Sequence, residues 1–123
     1  MRSRSSTLTG QELEIMKVVW KSESVTVRDV YEALLERRKV AYTTVMTMMK
    51  ILEQKKYLKK NQAGRAFVYR PAQPQGQVVG AMVRDFVNRV FNGSAAPLLV
   101  HLVKEHDLSS EDLDEIARLR RNK

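Results

Sequence analysis

Apolar residues return at helical spacing early in the chain, at Leu13, Met16, Val19 and Trp20. Just ahead of them stands Thr9-Gly10-Gln11-Glu12, a Thr-x-x-Glu signature in which Thr9 caps the first amides and Glu12 reaches back to the cap. The spacing predicts a helix from about residue 10 to Trp20. Ser22-Glu23-Ser24 is a polar break, and Val25-Thr26-Val27 reads as a short extended piece from which Thr26 can cap a second helix. That helix gathers Val27, Val30, Tyr31, Leu34 and Leu35 on one face and ends in the cluster Arg37-Arg38-Lys39. A third helix opens near Tyr42 and runs to about Lys55, with Ala41, Val45, Met48 and Leu52 as its inner positions.

The period then changes. Residues 57–60 and 66–69 read as two short strands joined by a turn containing Ala63-Gly64 and closed by Pro71. Phe67 and Tyr69 share one face of this hairpin, where packing against the first helix is their expected use, and Trp20 is expected in the same core. Three helices followed by a hairpin is the order of a winged helix-turn-helix. Pro71-Ala72-Gln73-Pro74-Gln75-Gly76 reads as a linker, and helical patterns resume at roughly residues 76–91, 95–105 and 110–121. Asn92-Gly93-Ser94 breaks the first pair, and Ser109 with Asp112 makes a cap for the last. The expected fold is therefore mainly α: a winged helix-turn-helix domain over residues 1–73 and a small helical dimerisation domain over 74–123.

Charge separates the two parts. The 123 residues carry a net +8 at pH 7. Residues 1–70 hold 15 Lys+Arg against 7 Asp+Glu, whereas residues 71–123 hold 7 of each, so the whole excess lies in the first part. Solubility alone gives little reason for such segregation; contact with a polyphosphate does, because each cation near a phosphate releases condensed counterions. An anionic membrane surface is the competing partner, but neither a basic amphipathic helix nor a lipidation signal is evident. No apolar run approaches the ~20 residues that span a bilayer, and the basic, polar residues 1–6 do not read as a secretory signal, so a cytoplasmic protein is expected. The absence of cysteine excludes disulfides, thiolate metal sites and a cysteine nucleophile.

In a helix-turn-helix the second helix of the pair enters the major groove. On the third helix here, that leaves Tyr42, Thr43, Thr44, Met46, Thr47 and Lys50 facing outward. Hydroxyls suit phosphate oxygens and base edges, while Thr methyls and Met46 suit a thymine methyl. Thr is a weak helix former, so three within five positions are poorly explained as a merely solvated face, although Thr43 or Thr44 also suits the N-cap. Arg28 and Lys39 add charge nearby, and Lys59, Lys60 and Arg65 surround the hairpin turn as a basic wing. Enzyme constellations are missing: there is no glycine-rich phosphate loop, and His101 and His106, five apart, fall on different helix faces beside the ordinary helix-end acids Glu105 and Asp107. No catalytic residue, cofactor or metal site is expected.

Beyond the linker, Val78, Val79, Met82, Val83, Phe86, Val87, Val90 and Phe91 form a broad apolar stripe. With Leu98, Leu99, Leu102, Val103, Leu113, Ile116 and Leu119 added, about 50 residues offer more apolar surface than three short helices cover alone. A homodimer is the expected solution, with Val79, Met82, Val83, Phe86, Val90, Leu99, Leu102, Val103, Leu113 and Ile116 in its interface. A two-fold dimer would present two recognition helices to a palindromic DNA site.

The order of these residues also resembles a known family. Leu8-Thr9-x-x-Glu12-x-x-Ile15-Met16-x-x-x-Trp20, Thr26-Val27-Arg28-x-Val30, Ala41-Tyr42-Thr43-Thr44-Val45-Met46-Thr47, Leu52-Glu53-x-Lys55 and Gly64-Arg65-Ala66-Phe67-Val68-Tyr69-Arg70-Pro71 are similar to the penicillinase-repressor family. That family includes β-lactamase, methicillin-resistance and copper-responsive repressors. The resemblance implies a dimeric, cytoplasmic, nucleoid-associated bacterial repressor that occludes a promoter by binding an inverted repeat in double-stranded DNA. It implies a recognition helix over residues 42–50, a wing tip at Gly64 and Arg65, and dimerisation through the C-terminal helices. In antibiotic-responsive members a membrane sensor pathway leads to cleavage of the dimerisation part between Asn and Phe; the equivalent pair here is His101-Leu102. The cysteine motif of copper-responsive members is absent, and Lys56 stands where the family often has Gly after the third helix. The rival readings are a winged-helix adaptor for an acidic protein and a DNA-binding protein without sequence preference.

Overall fold

A computed structural model describes residues 7–106 and 108–121, apart from the side chains of Arg120 and Arg121. The basic segment at residues 1–6 and Asp107 lie outside the described residues. The elements are α1 (Gly10–Ser22), α2 (Val27–Leu35), α3 (Tyr42–Gln54), β1 (Leu58–Ala63), β2 (Ala66–Pro71), α4 (Gln75–Phe91), α5 (Ala96–Glu105) and α6 (Ser110–Arg121). The chain divides into two compact units, one ending at Val79 and one beginning at Gly80.

In the first unit, α1 starts at the expected capping box. Thr9 Oγ1 accepts from the Glu12 amide at 3.1 Å, and Glu12 Oε1 accepts from the Thr9 amide at 2.9 Å. Ile15, Met16 and Val19 enter the core. Val25 is the extended residue, exchanging two backbone hydrogen bonds with Tyr69 at 3.0 and 2.7 Å. Val27, grouped with it in the sequence pattern, instead opens α2, which Thr26 and Asp29 cap reciprocally. Val30 and Leu34 are buried, but Leu35 is exposed. A step of about 100° per residue carries Leu35 away from Leu34, so the core uses a narrower sector than the sequence offers.

On α3 the buried positions are Val45, Met49 and Leu52. Met48, expected inside, is half-buried, and Ala41 is an exposed N-cap. The helix ends with the amide of Lys56 on Glu53 O and that of Tyr57 on Leu52 O, at 3.0 and 2.9 Å. These are the two bonds of a Schellman cap, and they require the left-handed backbone seen at Lys56, φ 73°. An L side chain is disfavoured there by roughly 1 kcal/mol. Lys56→Gly is therefore expected to raise the melting temperature of the chain by a few degrees, read by thermal unfolding; an unchanged or lower value would mean the cap is not strained.

The hairpin register pairs Leu58 with Pro71 through Ala63 with Ala66, leaving Gly64 and Arg65 as the two turn residues. The turn falls at the Gly64-Arg65 pair that the family resemblance implies, and β1 runs on to Ala63, three residues past its expected end at Lys60. Gly64 has φ 64° and Arg65 has no positive φ, a pattern that suits glycine first, as in a type II′ hairpin turn. Tyr57, Leu58 and Tyr69 join the core, and burial pushes both tyrosine hydroxyls to higher pKa.

Two ion pairs tie the helices together. Lys55 Nζ lies 2.9 and 3.1 Å from the two Glu12 oxygens and also donates to Thr7 O at 3.0 Å. Glu12 is only 5% exposed and Lys55 is half-buried, so the pair lies at the edge of the core and locks the start of α1 to the end of α3. Arg38 Nη2 donates to Glu14 Oε1 at 2.8 Å, which holds the Glu14 carboxyl below its ordinary pKa and joins the turn after α2 to α1.

The second unit contains the rest of α4 with α5 and α6. Asp112 and Ser109 cap α6 as expected, at 3.0 and 3.1 Å. Phe91 packs edge-on against Phe86 and is tilted against His101, with ring centroids 5.9 Å apart in each case. Among the described residues from Gly80 onward, no side chain is buried.

Candidate nucleic-acid interface

The interface is built on α3. Its inner line of Val45, Met49 and Leu52 holds the helix by one face, and Tyr42, Thr43, Thr44, Met46, Thr47 and Lys50 are all exposed, as expected. Thr43, Thr47 and Lys50 fall at i, i+4 and i+7, on the side opposite the buried line. Gln54 continues that side at i+11 and is exposed. It escaped the sequence reading because it stands next to the helix end, yet the same spacing finds it. A Gln amide can both donate and accept at an adenine edge.

The start of α3 is bare. Its N-cap is Ala41, with no side-chain cap and no acidic residue in the first turn. Thr43 and Thr44 lie inside the first turn, so neither serves as the N-cap. Unsatisfied first-turn amides and the positive end of the helix dipole favour an anion there. The Tyr42 ring meets Tyr31 edge-on at 5.3 Å and 80°, which fixes the first outward side chain against α2.

The basic residues divide by their partners. Arg28 pairs with Glu32 at 3.2 Å on the exposed surface of α2, and Arg38 is held by Glu14. Lys60 is 3.8 Å from Glu53, and its ammonium lies 4.7 Å from the centre of the Phe67 ring. Of the cations expected at the interface, Lys39, Lys50, Lys59 and Arg65 are exposed and have no ion-pair partner among the described residues.

The hairpin separates residues that adjoin in sequence. Lys59 pairs across the ladder with Arg70, and Lys60 with Tyr69, so the two lysines face opposite sides. Like charges directly opposite repel, and an anion bound between Lys59 and Arg70 would relieve that repulsion. Arg70 was missed as a candidate because its neighbour across the sheet is set by register, not by sequence distance. Phe67, expected in the core, is 50% exposed. It shares a face with buried Tyr69 but stands two residues nearer the turn, where the hairpin has run beyond the core.

Of the expected dimer residues, Val79 is exposed at the end of the first unit; in the second unit Val83, Phe86, Val90, Leu99, Leu102, Val103, Leu113 and Ile116 are exposed and Met82 is half-buried. Val79, Val83, Phe86 and Val90 repeat at i, i+4, i+7 and i+11 along one line of α4. His101 and Leu102 are exposed on α5. Among the described residues no cluster of three His, Cys, Asp or Glu suits a metal, and no helix is long and apolar enough to cross a membrane.

Residues 8–121 match the family model described as penicillinase repressor. The chain is 29% identical over 112 residues to the penicillinase repressor of Bacillus licheniformis, covering 91% of this chain and 88% of that protein. It is 35% identical over 109 residues to the transcriptional regulator BlaI of Mycobacterium tuberculosis, covering 87% and 78%. The solution structure of the monomeric form of Bacillus licheniformis BlaI in complex with the blaP half-operator superposes with a TM-score of 0.51 and 33% identity, over 57% of this chain and 85% of that one.

Proposed function

This chain belongs to the penicillinase repressor family, and from that membership we propose that it is a homodimeric repressor binding a palindromic operator through α3 and its wing. The family is one of transcriptional regulators, not enzymes. The observation that carries the reading is the outward side of α3: hydroxyls, Met46 and Lys50 on a helix whose N-terminus is left uncapped. Thr43, Thr44, Thr47 and Gln54 read base edges, Tyr42 and Met46 add apolar contact, and Lys50, Lys59 and Arg65 meet phosphates, with Arg28, Lys39 and Lys60 at the margin. Residues 1–73 bind DNA and residues 74–123 dimerise, burying the stripe that a single chain leaves exposed. Release by cleavage at His101-Leu102, downstream of a membrane sensor, would require α5 to open locally, because that bond lies inside the helix.

The test is fluorescence anisotropy on the DNA upstream of the protein's own gene and on scrambled DNA, at two salt concentrations. A preference of about 10³-fold or more for the native site is expected. Salt-sensitive binding without preference would favour an architectural protein, and no DNA binding would favour an adaptor. Thr44→Ala or Thr47→Ala should weaken operator binding more than random binding; equal weakening would remove them from the reading set. Arg65→Ala is expected to weaken binding to every sequence and to reduce the salt slope by about one, whereas an unchanged slope would exclude a phosphate contact.

A further inference from the structure

The segment between β2 and α4 is fastened to the winged-helix unit. The Ala72 amide donates to Tyr57 O at 2.8 Å. Gln73 Nε2 donates to Lys56 O at 3.0 Å, and the Trp20 indole Nε1 donates to Gln73 O at 3.0 Å. One turn into α4, Val78 is buried at 4% exposure and belongs to the same unit. Pro71 and Pro74, with φ fixed by their rings, flank the fastened pair.

The anchor points share a location. Lys56 and Tyr57 make the Schellman cap that ends α3, and Trp20 lies in the last turn of α1, which packs beside it. The segment is therefore tied to the C-terminal end of the helix whose outward side is the DNA-reading surface. Neither Trp20 nor Gln73 lies on that side. α4 is continuous from Gln75 to Phe91, so the turn held in the winged-helix unit is the root of the helix that carries the apolar line.

We propose that Trp20 and Gln73 are positioning residues: by fastening the root of α4 to the end of α3, they set the half-site spacing that a dimer accepts. This rests on the dimeric reading above. In a dimer, binding of the second recognition helix is intramolecular, and its effective concentration depends on the stiffness and reach of the connection. A fastened root concentrates that helix at one separation, whereas a free one spreads it over many. The sharpness of the spacing preference is thus set by three hydrogen bonds and one buried valine, all of them away from the outward side of α3.

The experiment uses the full chain and its Trp20→Phe/Gln73→Ala variant, which keeps an aromatic ring but removes both side-chain donors. Anisotropy is read on a half-operator, on the operator, and on operators with the centre changed by one or two base pairs in each direction. The variant is expected to bind the half-operator as the natural chain does, to lose about 10-fold on the operator, and to show a flatter spacing profile. Gln73→Ala alone, cutting one exposed hydrogen bond, should flatten the profile in smaller measure with folding intact. An unchanged profile would overturn the proposal, and so would an equal loss on half-operator and operator. If the natural chain gains nothing from a second half-site, it is the dimeric reading that fails.

Discussion

Glu12→Ala is expected to destabilise the winged-helix unit by about 3 kcal/mol, the lower end of the cost of breaking a buried ion pair. Glu12 is almost wholly buried, and its two oxygens serve Lys55 Nζ and the Thr9 amide. The substitution would leave the Lys55 ammonium in a largely dehydrated place and unmake half of the capping box. Lys55 retains the carbonyl of Thr7, which is why the low end of the range applies. A loss of this size is a large fraction of a typical small-domain stability and corresponds to a fall on the order of 15 °C in melting temperature. Thermal and urea unfolding of Glu12→Ala, Lys55→Met and the double variant would check it. The double variant should recover much of the loss, because no charge then remains buried without a partner. A cost below about 1 kcal/mol would mean that the pair behaves as a surface contact.

A second large effect is expected in the C-terminal part. Val83 and Phe86 lie on one line of α4, with exposures of 50% and 41% in the single chain. In a two-fold dimer, Phe86→Glu places two carboxylates in an apolar interface, and a single central aromatic commonly accounts for 2 kcal/mol or more there. The natural chain is expected to sediment as a dimer at tens of micromolar, and the variant as a monomer. Operator affinity should fall by about 10²-fold through loss of the linked second site, with half-operator affinity retained. A variant that remains dimeric would remove this line from the interface. Retained operator affinity in a monomer would show instead that one winged-helix unit suffices.

Much of this protein was legible because its sequence repeats the same local decisions. The caps at Thr9, Thr26 and Ser109 each satisfy orphan helix amides within three residues, so they can be read without knowledge of the fold. The outward side of α3 was legible because its apolar period leaves only one face for Tyr42, Thr43, Thr44, Met46, Thr47 and Lys50. The left-handed backbone at Lys56 was signalled only through the family resemblance, as a Lys where Gly is common. Errors came where two choices had equal local merit. Met48 and Met49 are neighbours of the same chemistry, and only the tertiary fold selects Met49 for burial.

By itself, then, the sequence determined the segregation of charge along the chain, and the helices, the hairpin and the outward side of α3, which depend on neighbours within about four residues. Tertiary structure decided what depends on distant ones. It buried Glu12 against Lys55 across 43 positions, paired Lys59 with Arg70 by register, and left Phe67 outside the core. It also fastened Gln73 to Trp20 across 53 positions, turning an apparent linker into an anchored segment. The physical reason is the same in each case. Propensity and periodicity act along the chain, whereas desolvation, charge pairing and register are settled only when separate segments meet.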